Sequence, residues 1–143
     1  MSFKRPESVL VIIFTQDSQV LLLKRVHPEH FWQSVTGSLD EGESAIHAAS
    51  RELTEETGLT ATPSKTVVEN CYPIIPAWRS RYAPNITHNH EVVFTVELSK
   101  TCDIRLNQFE HSRYVWLPRE QAAAKVSSWT NRDAILSLVP DKG

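Results

Sequence analysis

The sequence predicts an α/β fold, and three observations carry that expectation. Segments rich in β-branched and aliphatic residues precede, separate and follow segments with helical spacing. The 143 residues suffice to bury a core without disulfides or metals as staples. No Gly/Ser-rich linker, repeat or low-complexity stretch interrupts them, so residues 1–143 read as a single domain.

Residues 9–14 (VLVIIF) form an unbroken aliphatic run, the composition of a strand covered on both faces. After a polar turn at Asp17 and Ser18, residues 19–25 (QVLLLKR) read as its hairpin partner. From 44 to 56 the chain has no Gly or Pro and is rich in alanine, and Gly58 stands where a helix takes a C-terminal glycine, so the first helix is expected there. Strands follow at 66–72, 91–98 and 113–117 by β-branched and aromatic content. Residues 73–89, with three prolines and several basic or aromatic side chains, read as a long functional loop. Pro118 suits the first turn of a helix reaching 126, and Thr130 with Asp133 three positions on offers a capping arrangement for a last helix over 131–138.

The net charge of −2 gives no basic footprint, which argues against a nucleic-acid polymer or an anionic membrane as partner. An anion held here is expected to be small or screened by metal. Cys71 and Cys102 lie far apart with no CxxC pair, a usage that fits a reducing, cytoplasmic setting, and both read as buried thiols. The apolar run after the basic start is short, is cut by Gln16 and Asp17 and lacks a small-residue cleavage site, so it reads as a core strand rather than a leader. No stretch is long enough to span a bilayer as a helix.

Residues 37–59 (GSLDEGESAIHAASRELTEETGL) hold three of the four glycines and three glutamates within five positions. On a helix Glu52, Glu55 and Glu56 share a face, beside an apolar stripe of Ala45, Ala49 and Leu53. Like charges so close repel, and protonation or a divalent cation relieves them. Hard oxygen donors in this number suit Mg²⁺ or Mn²⁺. A solvated acidic helix face is the alternative for the glutamates alone. Glycines on both sides, and Arg51 with its fixed fork of donors, favour a ligand site.

The stretch resembles the signature of the Nudix hydrolase family, G-x5-E-x7-R-E-U-x-E-E-x-G-U, with U a bulky aliphatic residue. Gly37, Glu43, Arg51, Glu52, Leu53, Glu55, Glu56, Gly58 and Leu59 match all nine fixed positions. The resemblance implies a Nudix fold, an α/β/α sandwich with a mixed central β-sheet, and metal-dependent hydrolysis of a nucleoside diphosphate linked to a further group. It implies Glu52, Glu55, Glu56 and the Gly37 carbonyl as metal ligands, with Arg51 and Glu43 bracing them. A later acidic residue usually completes such a site, as ligand or base. Glu110, just before the strand at 113–117, is the candidate, with a plain surface carboxylate as the alternative. The expected chemistry is in-line attack by water after proton loss to Glu56 or Glu110, and sequence does not choose between them.

Beyond this box, KRPESVLVII, HPEHFWQSVTGS, RYAPNITHNHE, FEHSRYVWL and SSWTNRDAI resemble one branch of the family, the dihydroneopterin triphosphate pyrophosphatases of bacterial folate synthesis. That resemblance makes Lys4, Arg25, Thr36 and Ser128 candidates for contacting a small-molecule triphosphate, Arg79 and Arg81 parts of a lid, and residues 72–75 (Tyr72, Pro73, Ile74, Ile75) a base-binding edge. Phe31, Trp32, Trp78 and Trp129 are further possible walls, with core packing the default for each. His88 and His90 alternate as a zinc pair does, but no third ligand is evident and a loop or strand surface is expected. Rival readings are a housecleaning pyrophosphatase for (deoxy)nucleoside or oxidised-purine triphosphates, a diadenosine polyphosphate hydrolase, and a non-catalytic nucleotide sensor. The chain is expected to act as a monomer or homodimer.

Overall fold

A computed structural model describes residues 3–142. Its strands are β1 (Glu7–Thr15), β2 (Gln19–Arg25), β3 (Trp32–Gln33), β4 (Val35–Ser38), β5 (Ser64–Pro73), β6 (His88–Leu98) and β7 (His111–Pro118). Its α-helices are α1 (Ala45–Thr57), α2 (Arg119–Lys125) and α3 (Trp129–Leu138). All seven strands join one sheet with the path β3-β2-β1-β6-β5, β4 adding to β1 and β7 to β2. The sheet is mixed because β1 and β6 run parallel, from Glu7 beside His90 to Thr15 beside Leu98, while the other pairs are antiparallel.

Alternate residues of β1 enter two separate cores. Val9, Val11 and Ile13 pack with Phe94 against Ala48, Ala49 and Leu53 of α1. Leu10, Ile12 and Phe14 pack with Val93 against Ala122 of α2 and Ala134 and Ile135 of α3. Helices thus cover both faces, and the unbroken apolar run in β1 follows from that double cover. Each such aliphatic side chain removed from water contributes about 1.5–3 kcal/mol.

The expected hairpin is present but diverges quickly. Ser18, at φ 62°, turns the chain, and β1 and β2 pair at Phe14 and Val20. Below that point β3 pairs with β2 and β4 with β1, so the segment 32–38 wedges between the two parting strands. Ser34 marks the break between the short strands and is pinned from α3: Asn131 accepts from the Ser34 amide at 2.8 Å and donates to its hydroxyl at 2.9 Å. The cleft described below opens at this wedge.

Several sequence expectations need correction. The segment 73–89 is not loop throughout, since Pro76–Arg81 forms a 3₁₀ helix and β6 begins at His88. The last helix starts at Trp129 and is capped by Ser128, whose hydroxyl accepts from the Asn131 amide, instead of by Thr130, which is buried inside the helix. Cys71 and Cys102 are exposed. Cys71 lies on β5, which borders only β6 and therefore has an open side, and Cys102 lies in the connection after β6. No helix among the described residues is long and apolar enough to cross a membrane.

Candidate active site

Helix α1 is fixed at both ends, by Ser44 accepting from the His47 amide and by Gly58 at φ 78° donating to the Thr54 carbonyl. Between them Arg51 spreads its guanidinium over the acidic residues. Its Nε and Nη2 donate to the two carboxylate oxygens of Glu43, both at 2.8 Å, and Nη1 donates to Glu52 at 2.6 Å and Glu55 at 3.4 Å. Nη2 also reaches the Ser38 carbonyl at 3.2 Å, tying helix to β4. The hydrogen bonds from Arg51 hold the Glu43 carboxyl down at about 2, and the same bond raises the arginine's own pKa. Arg5 braces the loop, donating to the carbonyls of Asp40 (2.7 Å) and Glu43 (3.2 Å).

Glu56 is 1 % exposed, and neither carboxylate oxygen has a hydrogen-bond partner among the described residues. Burial raises its pKa well above the ordinary carboxylate value, and the neighbouring Glu52 carboxyl pushes the same way. The Thr36 backbone acts in the opposite sense and lowers it. Gly37 makes room for this cluster, because a Cβ there would fall 2.3 Å from Glu52 Cδ. Among the described residues no three carboxylate, imidazole or thiol groups draw in tightly enough to form a finished metal cage. The donors nevertheless fit a divalent cation: hard oxygens, a buried carboxyl lacking partners, and a backbone approach that only glycine permits at Gly37.

Gly37, Glu52 and Glu110 line a cleft of about 760 Å³, a size suited to a nucleotide-like ligand. Glu110 is exposed at its mouth, where flanking protein removes enough water to raise its pKa and the Glu52 and Glu55 carboxylates add to the rise. Facing these acids are Lys4, Arg25 and Arg81. Partial desolvation lowers the pKa of Lys4 and of Arg25, and the charge of Arg81 lowers both further. Lys4 is positioned by its amide bonding the Arg81 carbonyl at 2.8 Å, and Arg25 by its Nε bonding the His27 carbonyl at 2.7 Å. Cations crowded against one another opposite crowded anions are the electrostatic template for a polyphosphate with its metal.

The cleft also takes in Thr36, Tyr72, Pro73, Ile74, Ile75 and Ser128. All three of their hydroxyls are already engaged: Thr36 donates to the Val9 carbonyl at 2.8 Å, Tyr72 accepts from Asn89 Nδ2 at 3.1 Å, and Ser128 caps α3. Arg79 lies on the exposed 3₁₀ helix and is not part of the lining, whereas Arg81 is. Glu55, Glu56 and Arg51 are not part of the lining: Glu56 is buried, Arg51 half-buried and Glu55 exposed. Phe31, Tyr72, Trp78 and Trp129 line the cleft instead of packing in the core, and Arg25 lies 5.5 Å from the centre of the Trp78 ring. Trp32 packs against the second core and under Lys125. His90 is exposed and bonds Glu69 at 2.7 Å, while His88 bonds Thr87, so the two imidazoles serve surface contacts.

Six buried lining residues lie outside the sequence expectations: Ser8, Asn89, Glu91 and Asn131 on the far wall of the cleft, and Gln33 with His111, whose Nε2 lies 3.8 Å from Glu56 Oε1. A signal was available in β6, where Asn89 and Glu91 precede Val93 at alternate positions on an inward face. Polar residues on such a face mark a functional opening in a core.

The NUDIX domain family model matches residues 4–138. The dihydroneopterin triphosphate diphosphatase of Escherichia coli is 41% identical over 143 residues, spanning 96% of this chain and 94% of that protein. The enzyme of the same name from Haemophilus influenzae is 38% identical, spanning 94% and 88%. The solved structure of the E. coli dihydroneopterin triphosphate pyrophosphohydrolase superposes with a TM-score of 0.90 and 41% identity, covering 97% of this chain and 98% of that one. The family typically depends on a divalent metal. With the full signature running from Gly37 on β4 through α1 to the loop after it, the two-faced sandwich and this match over nearly the whole length, the chain belongs to the Nudix family.

Proposed function

We propose that the chain, acting as one Nudix unit, hydrolyses dihydroneopterin triphosphate to dihydroneopterin monophosphate and pyrophosphate. The observation that carries this reading is the opposition of Glu52 and Glu110 to Lys4, Arg25 and Arg81 across one cleft. The similarity to two bacterial enzymes of that activity supports the choice of substrate.

Glu52, Glu55, Glu56 and the Gly37 carbonyl would hold Mg²⁺, with Mn²⁺ as an alternative, and Glu110 would complete the set. When bound, such a cation neutralises phosphoryl charge and acidifies water. Arg51 positions Glu52 and Glu55 through its fork. Lys4, Arg25 and Arg81 take phosphate oxygens and hold the chain in line. Glu110, exposed at the mouth, or Glu56, buried with a raised pKa, accepts the proton of the attacking water. The water oxygen bonds to phosphorus, the α–β phosphoanhydride P–O bond breaks, and pyrophosphate carries away the displaced electron pair.

Pyrophosphate release should be measured with Mg²⁺ on dihydroneopterin triphosphate, dATP, an oxidised dGTP and diadenosine tetraphosphate. The expected result is the highest kcat/KM on the pterin. A preference for any other substrate replaces this reading, and no turnover on all four points to a sensor.

A further inference from the structure

The far wall of the cleft contains a carboxyl group that the hydrolytic chemistry does not use. Glu91 is 3 % exposed, lies on β6 and lines the cleft together with Ser8, Tyr72, Asn89 and Thr130. Its partners are neutral. Burial raises its pKa, and two neutral donors oppose that rise: Asn70 Nδ2, which donates to Oε1 at 3.1 Å, and the Thr130 hydroxyl. A carboxylate offers about four acceptor positions, so two donors leave part of that capacity open. Burying a carboxyl without a cation costs stability, and such a cost persists where it serves binding or specificity.

The register fixes where this group stands relative to the acidic pole. Glu91 pairs across the sheet with Ser8, and Ser8 pairs with Ser38, next to Gly37. Glu91 is therefore two strand spacings, about 10 Å, from the Gly37–Ser38 step. That span accommodates a ring at one end and phosphates at the other. The ring's surroundings also fit, with Leu10 on the floor, Ile74 and Ile75 on one side and Trp129 half exposed at the rim. Flat heterocycles bind in apolar slots that carry a few polar edge contacts.

We infer that Glu91 is the specificity-determining residue of the cleft, accepting paired hydrogen bonds from the adjacent ring N–H and exocyclic amino group of a 2-amino-4-oxopyrimidine edge. This edge occurs in pterins and in guanine. Adenine presents an acceptor beside its amino group, and a 2-oxo ring has lost the second donor, so each would leave the buried carboxylate facing a lone pair or unpaired. Asn89 supports the wall: its Nδ2 bonds the Ser8 hydroxyl at 2.7 Å and the Tyr72 hydroxyl at 3.1 Å, which fixes both side chains beside Glu91. The inference rests on the proposed pyrophosphatase activity for its choice of a pterin over guanine.

The test is equilibrium binding of unphosphorylated ligands to the full chain in EDTA, which separates ring recognition from metal and phosphate. Neopterin, guanosine, adenosine and the 2-oxo analogue of neopterin are titrated against the unmodified chain and Glu91→Gln. Neopterin should bind at least about tenfold more tightly than its 2-oxo analogue and adenosine, as expected for loss of one hydrogen bond to a charged group. Glu91→Gln should erase that preference while its near-UV circular dichroism stays unchanged. Equal binding of neopterin and its 2-oxo analogue by the unmodified chain overturns the inference, and needs no variant to fold. So does a variant that keeps the preference, or the absence of neopterin and guanosine binding below about 1 mM. Guanosine bound more tightly than neopterin assigns the edge to a purine. A chain that shows the 2-amino preference yet fails to release pyrophosphate from dihydroneopterin triphosphate leaves Glu91 in this role and removes the proposed activity.

Discussion

Arg51 grips both carboxylate oxygens of Glu43, through Nε and Nη2 at 2.8 Å each, eight residues away in the chain. The grip leaves Nη1 free to steer Glu52 and Glu55. Lysine has one nitrogen and cannot do both. Arg51→Lys should therefore lower kcat by at least about tenfold with a smaller change in KM, because it loosens groups that act on the reacting phosphate. A double-mutant cycle with Glu43→Gln should give a coupling of about 1–3 kcal/mol in urea unfolding. Since the folded carboxyl sits near 2 and the unfolded one near 4.5, this coupling is full above pH 4.5 and declines as pH falls toward 2. Coupling that is independent of pH in that range contradicts the assignment.

Gly37 matters through space rather than backbone conformation, since an added Cβ would meet Glu52 Cδ at 2.3 Å. The far end of a glutamate can usually move aside cheaply, but here Arg51 holds it at 2.6 Å. Gly37→Ala should cost about 1–3 kcal/mol of stability and about 100-fold in kcat. Thermal unfolding and steady-state kinetics on the same preparation check both. A variant with unaltered kcat would show that Glu52 has freedom to move that the Arg51 bond denies it.

The acidic pole was legible from sequence because helical spacing and glycine punctuation are local signals: Glu52, Glu55, Glu56, Arg51 and Gly58 lie within eight residues. The same locality explains β1 and α1. The far wall was not legible because long-range register assembles it, bringing Ser8 of β1, Glu91 of β6 and Thr130 of α3 into one place. The short strands β3 and β4 escaped for a related reason. WQSVTGS has no apolar run, and its pairing is imposed by β1 and β2 parting around it and by Asn131 pinning Ser34. The exposed Cys71, on a strand with an open side, and Cys102, in the connection after β6, show how little a lone residue's usual burial says about its place in the fold.

His111 gives a pH signature of one sign. It is 2 % exposed, its Nε2 lies 3.2 Å from Gln33 Nε2, and its Nδ1 has no partner among the described residues. Burial, with the charge of Arg25 adding to it, lowers its pKa to about 4. A depressed histidine leaves the unfolded chain binding the extra proton first, so stability is full above about 6.5 and falls as pH drops from there to about 4. The slope from this group is at most about 1.4 kcal/mol per pH unit. His111→Phe should remove that part of the acid sensitivity, seen as the difference between the two chains in urea unfolding across the window. Parallel profiles for the two chains would place the sensitivity elsewhere.

Glu56 gives the opposite sign and connects it to metal. Its folded pKa lies well above 4.5, so without cation its contribution is full below 4.5 and is lost as pH rises through the folded value. In EDTA the unmodified chain should lose stability relative to Glu56→Gln as pH rises from about 5 to 8, because only the glutamate faces ionisation in a buried place. A divalent cation binds the ionised form, so Mg²⁺ should raise the melting temperature more at high pH than at low. At 100 times its dissociation constant the linkage is about 2.7 kcal/mol. Glu56→Gln should lose most of this Mg²⁺ response and several orders of magnitude in kcat, while melting in EDTA at least as high as the unmodified chain. Calorimetric unfolding at pH 6 and 8, with and without Mg²⁺, reads all of these. An Mg²⁺ shift of equal size at both pH values, or one that survives in Glu56→Gln, means that the cation binds without this carboxylate and that its burial serves packing alone.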